Sequence, residues 1–199
     1  MLDKMSIGKI KERLLEFNAE AQELFELPFI QKMQHSGLKI SASKGSPLKI
    51  EKWGPDANDT KAICNDLRKF IQPNDTLNAE KLRKIYDSEE ITLDEQKNYE
   101  SIMAELDRFN KSPANFIKDG TALTNQQIFE IFLYGKISHR TEGKKQIHDD
   151  WAKNPVWHAS IQNEFLLIIA AHMAFVNNLV VLNKTVLKRL EGLVVKNEH

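Results

Sequence analysis

The densest set of reactive side chains lies in YGKISHRTEGKKQIHDDWAKNPVWH, from Tyr134 to His158. It brings His139, Arg140, Lys144, Lys145, His148, Asp149, Asp150 and His158 close in sequence, beside Trp151 and Trp157. Three chemistries can be set against that spacing. A divalent metal could draw on His139, His148, Asp149, Asp150 and His158, all acceptable ligand types. The sequence holds no HExxH and no second cysteine, and no two histidines here stand four apart on one helical face, so no metal site is assigned. His158 and His172 could share a helix face, but 14 residues of helix would hold them about 21 Å apart, too far for one ion.

Metal-independent RNA cleavage is the second chemistry. A histidine, His148, would move the proton of a 2′-hydroxyl, Arg140 would stabilise the charged phosphate, and His139 and Asp149 would support them. The all-helical ribonucleases of the HEPN superfamily are similar in being helical and in placing an Arg upstream of a His, four to six residues apart. Here seven residues separate Arg140 from His148, and none of the six arginines meets the pattern. Membership is therefore not assigned.

The third chemistry is phosphate or nucleic-acid binding through Lys136, Arg140, Lys144 and Lys145, with Trp151 or Trp157 stacking on a base and His158 alongside. Glu142, Asp149 and Asp150 offset part of that charge. A segment between apolar helices is also polar simply because it is wet. No Walker A loop, GxGxxG or GxSxG is present, and no cofactor is implied.

These groups need a scaffold, and the composition supplies one. With 41% apolar residues, 28% charged, 8 Gly and 6 Pro in 199 residues, the chain reads as a globular protein rich in helix. The 28 basic and 28 acidic side chains cancel, so no global field recruits nucleic acid or an anionic membrane. The single cysteine, Cys64, cannot form an internal disulfide; it fits a reducing, cytoplasmic setting as a buried thiol. The start of the chain, with charges scattered through its apolar residues, does not read as a signal peptide.

Periodicity predicts a single helical domain over 1–199, of six or seven helices, with a helix-plus-hairpin subregion at 1–53. Ile7, Ile10, Leu14, Phe17, Ala21 and Leu24 form a heptad-like seam, for packing within the domain or for pairing two copies through 7–24, and Pro28 ends that helix. Glu12, Glu16, Glu20 and Glu23 form its solvated face. Alternation over 38–53, with Lys44-Gly45-Ser46 as a turn, predicts a two-stranded hairpin that ends at Trp53. Ile63, Leu67, Phe70 and Ile71 mark a further helical stripe, and Leu82, Ile85 and Tyr86 a short helix over 78–87.

Thr92 with Glu95, and Thr124 with Gln127, have the capping-box spacing that opens a helix; the stretch from Lys111 to Thr121 reads as a loop. From Val156 to about Leu190 the pattern is one long helix, or two in line. Its Phe165 to Leu182 stretch has 18 residues without a charge, the lower edge of membrane-spanning length. His172, Asn177 and Asn178 interrupt that stretch and favour a buried central helix near 160–185 over a span. His172 is expected as a neutral core histidine bonded to a neighbour, and Asn177 and Asn178 as interhelix hydrogen-bond formers. The function expected is a non-catalytic protein-interaction or regulatory module of a bacterial cytoplasm, with a protein partner or a second copy, and a nucleic-acid-binding protein or ribonuclease as the alternative.

Overall fold

The computed structural model describes residues 5–28, 30, 31, 67, 81–118, 121–134 and 155–197. Its elements run α1 (Ile7–Phe25), α2 (Arg83–Tyr86), α3 (Leu93–Lys111), β1 (Pro113–Lys118), β2 (Thr121–Thr124), α4 (Asn125–Tyr134) and α5 (Pro155–Asn197). The described residues are mainly helical with one small antiparallel sheet, and they hold five helices rather than six or seven. One reason is that the C-terminal pattern forms a single helix: α5 has 43 residues, about 64 Å at 1.5 Å per residue.

α5 is the axis of the fold. α1, α3, α4 and β1 all pack against it. Phe165, Leu166, Ile169, Met173, Val176, Leu179, Val186 and Leu190 are buried along it, so the apolar stretch is covered by the chain's own elements. Glu164–Leu193 is long and apolar enough to cross a membrane by length and composition, and 78% of its most apolar window is buried inside the chain. The exposed side of α5 carries Asn177, Asn178, Val181, Lys184, Thr185 and Lys188. Asn177 and Asn178 therefore do not form interhelix bonds in the core. At 100° per residue they lie well away from the line through His172, Leu179 and Leu190 that faces inward.

α1 begins at Ser6, whose Oγ accepts from the Lys9 backbone N–H, and buries Ile10, Leu14, Phe17, Ala21 and Leu24 with Ile7 at the edge of the core. The heptad seam is thus covered within one chain, against α5. Pairing two copies through that face would have to displace this packing. The chain turns after α1, and Pro28 stands in a following helical turn in which the Gln31 N–H bonds to the Leu27 carbonyl at 3.1 Å. Proline is tolerated there because a first-turn N–H has no intrahelical partner to lose.

α3 is opened by the capping box in full: the Thr92 hydroxyl accepts from the Glu95 N–H at 3.2 Å, and Glu95 Oε2 accepts from the Thr92 N–H at 3.0 Å. Thr92→Ala removes one half of this exchange and is expected to cost about 1 kcal/mol, read as a lowered urea midpoint with an unchanged slope. α4 opens in the same way, with Gln127 N–H to Thr124 Oγ1 at 3.2 Å and Thr124 N–H to Gln127 Oε1 at 3.0 Å.

The sheet lies where the sequence read as a loop. β1 and β2 pair Pro113 with Thr124, Ile117 with Ala122 and Lys118 with Thr121, with an irregularity between Pro113 and Ile117. The Lys118–Thr121 pair leaves two residues between the strands, Asp119 and Gly120, and Asp-Gly favours a two-residue hairpin connection. A lone hairpin is marginal in water; this one is held by α4 and α5, with Ala114 and Leu123 in the core. The hairpin expected over 38–53, Trp53 and Cys64 lie outside the described residues. Of the stripe expected after them, Leu67 is described, helical and fully buried.

Candidate functional site

In sequence, the predicted site falls between α4 and α5 and at the start of α5. Phe129 of α4 lies 4.5 Å, ring centroid to centroid, from His172 and 6.3 Å from Phe165, both on α5. Asn125, at the start of α4, donates from Nδ2 to the Phe109 carbonyl at 3.0 Å, so α4 is also tied to the end of α3. α4 ends at Tyr134 and α5 begins at Pro155, which leaves 20 residues between two helices that are already in contact. Lys136, His139, Arg140, Lys144, Lys145, His148, Asp149 and Trp151 fall in that stretch, outside the described residues. Trp157 and His158 are placed by the backbone on the first turn of α5, the helix that also carries His172. Its rise separates His158 from His172 by about 21 Å, and the two cannot share an ion.

What the described residues bring together is a set of buried polar groups along α5. His172 is fully buried, and its Nε2–H donates to Asn110 Oδ1 at 2.9 Å. The ring stands edge-on to Phe109 and Phe129, and its Nδ1 has no hydrogen-bond partner. Burial pushes its pKa down to about 3, so it is neutral at any ordinary pH. A neutral imidazole without solvent contact can tie α3 to α5; it cannot relay a proton to a substrate.

Asn183 lies 11 residues, close to three turns, beyond His172 and on the same face. It is fully buried, accepts from the Tyr86 hydroxyl at 2.6 Å and donates from Nδ2 to Asn18 Oδ1 at 3.0 Å, joining α1, α2 and α5. Tyr86 stacks on Tyr99 of α3 with centroids 4.5 Å apart. Burial, then the charge of Glu95, then Tyr99, raise the Tyr86 pKa, so the phenol stays a neutral donor.

Farther along α5, Arg189 makes a two-point pair with Glu95: Nε to Oε1 at 2.7 Å and Nη2 to Oε2 at 2.8 Å. Nη2 also donates to the Glu90 carbonyl at 2.8 Å. Burial would raise the Glu95 pKa; the Arg189 hydrogen bond, the Thr92 N–H and the Arg189 charge together outweigh it and hold the carboxyl below its ordinary range. Glu95–Arg189 and Asn110–His172 also orient α3, which runs antiparallel to α5. The partners are 15 residues apart on α3 and 17 on α5, rises of about 22 and 25 Å.

Sequence reasoning found His172 and missed Asn183, Asn110 and the Glu95–Arg189 pair. The signal for Asn183 was present, since it repeats the angular position of His172. No spacing rule links residues 94 apart such as Glu95 and Arg189. Among the described residues no three His, Cys, Asp or Glu side chains are grouped to hold a metal ion. No family model, no curated protein and no solved structure matches the chain.

Proposed function

We propose that the protein is a non-catalytic interaction module, in which a helical scaffold holds the 135–158 segment for recognition of a protein partner. The observation that supports this is the direct packing of α4 on α5 through Phe129, Phe165 and His172. Two helices in contact need only about 2–8 residues to be joined. The 20 residues between Tyr134 and Pro155 exceed that need, and the helices on either side of the stretch both pack into the core. Binding groups are commonly carried in this way, on a connection held by a rigid scaffold. Lys136, Arg140, Lys144 and Lys145 supply cations and Trp151 a large apolar face, with Trp157 and His158 at the helix start. Arg and Trp are the residue types that most often dominate protein-interface energetics.

The test is capture of partners from a cell extract by the immobilised chain, repeated with Arg140→Ala combined with Trp151→Ala. A partner held by the parent and bound about tenfold or more weakly by the variant, at unchanged helical circular dichroism, is the expected result. Labelled single-stranded RNA and duplex DNA are assayed beside it at two salt concentrations. RNA cleavage lost with His148→Ala, or steeply salt-dependent binding lost with Arg140→Ala, would replace this reading by the nucleic-acid one.

A further inference from the structure

We propose that His172 is an acid-sensitive latch: uptake of a proton by its ring releases α4 and the β1–β2 hairpin from α5, while α1 stays docked. The geometry carries this. In the neutral ring Nε2 holds the proton, because its partner Asn110 Oδ1 can only accept. A second proton must then sit on Nδ1, the one buried side-chain polar atom among the described residues with no hydrogen-bond partner. Protonation thus adds a charge and a donor at the atom that has no acceptor, and a buried cation without a partner is strongly disfavoured.

Among the described residues, nothing packed around the ring offers compensation. From α3 it meets Phe109 and Asn110; the nearby Asp107 and Lys111 are exposed and paired with each other at 2.7 Å. Two last-turn carbonyls of α3 are engaged, that of Arg108 by Ser112 and that of Phe109 by Ser112 and Asn125. From α4 it meets Phe129; the following Glu130 accepts from Gln126 at 3.2 Å. β1, which packs on α5, carries no charged group that bonds to the ring, and its Ala114 is buried. On α5 itself, Glu164 precedes the ring by two turns and Lys184 follows it by three, and neither bonds to it. No charged group of α1 bonds to the ring. The attraction of a phenyl ring for a cation is smaller than the hydration an imidazolium gives up.

The opening is local because the far end of α5 is held separately. Asn18, Tyr86 and Asn183 fasten α1 and α2 there, 11 residues beyond His172. The sign follows from linkage. With a folded pKa of about 3 against an ordinary 6.5, the opened state binds more protons than the closed one between those values, so closure weakens as pH falls below 6.5. At pH 5 the closing equilibrium is reduced about 30-fold.

The experiment is amide hydrogen exchange at pH 7 and pH 5, corrected for intrinsic rates, on the parent, His172→Gln and His172→Met. Glutamine keeps a donor for Asn110 and does not titrate in this range. The expected result is that protection in α4 and the hairpin falls about 30-fold more in the parent than in either variant, with α1 protection equal in all three. Equal pH profiles in parent and variants overturn the proposal, as does loss of α1 protection in step with α4. Should both variants fail to fold, the NMR titration of the His172 ring in the parent decides. A folded-state midpoint near 6.5 overturns the latch, and no titration above pH 4 supports it.

Discussion

Replacing Arg189 with methionine is expected to destabilise the fold by about 3 kcal/mol in urea unfolding at pH 7. Methionine keeps the length and the apolar stem of the side chain, so the loss falls on the guanidinium. That group satisfies both oxygens of Glu95 and the Glu90 carbonyl. The Glu95 side chain is only 10% exposed and that of Arg189 29%, so removing the cation strands a nearly buried carboxylate. Residual access to water keeps the effect at the low end of what breaking a buried pair costs. Glu95→Gln retains an acceptor for the Thr92 N–H, and adding it to Arg189→Met is expected to recover part of the loss. The pH dependence gives an independent check. The pair holds the Glu95 pKa below its ordinary value of 4.5, so its contribution is complete above 4.5 and is lost as pH falls through the folded value. The gap between parent and Arg189→Met should therefore narrow in acid.

The second large effect is expected at Asn183. Asn183→Leu leaves the buried Tyr86 hydroxyl without its 2.6 Å acceptor and Asn18 without its donor, at a cost of about 2–3 kcal/mol. Tyr86→Phe removes only a donor and should cost about 1 kcal/mol. Because the cost is that of an unpaired group, the double replacement should be clearly less damaging than the sum of the two. Urea unfolding of the four proteins forms the cycle that measures it. A sum that is strictly additive would show that the bond between the two side chains contributes nothing.

Helices were legible wherever burial follows a period and a cap announces the start. α1 buries five of its six predicted seam residues, with Ile7 at the rim. The Thr92–Glu95 and Thr124–Gln127 pairs open α3 and α4 by the expected reciprocal bonds. Leu82, Ile85 and Tyr86 lie inside as the spacing predicts. The hairpin at 113–124 was not legible as strand because Pro113, Asn115 and the turn residues dilute a short alternation; the Asp-Gly pair was the one clear sign. Asn177 and Asn178 were misplaced because polarity within an apolar run was read without its angle. The 135–154 stretch, which carries most of the proposed recognition groups, has composition but no period, so its sequence specifies chemistry and not placement.

The position of α5 along the chain has a consequence for how the protein is made. A ribosome completes α1 at Phe25, α3 at Lys111 and α4 at Tyr134 before Pro155 of α5 emerges. Until then the apolar stripes of all three lack the surface that covers them, and the contacts that close the core join residues as distant as Asn18 and Asn183. Such a core cannot close before α5 is made, which leaves an interval in which greasy faces are open to chaperones or to one another. A nascent chain stalled before Pro155 is expected to keep these faces open, and covering them depends on the synthesis of one helix.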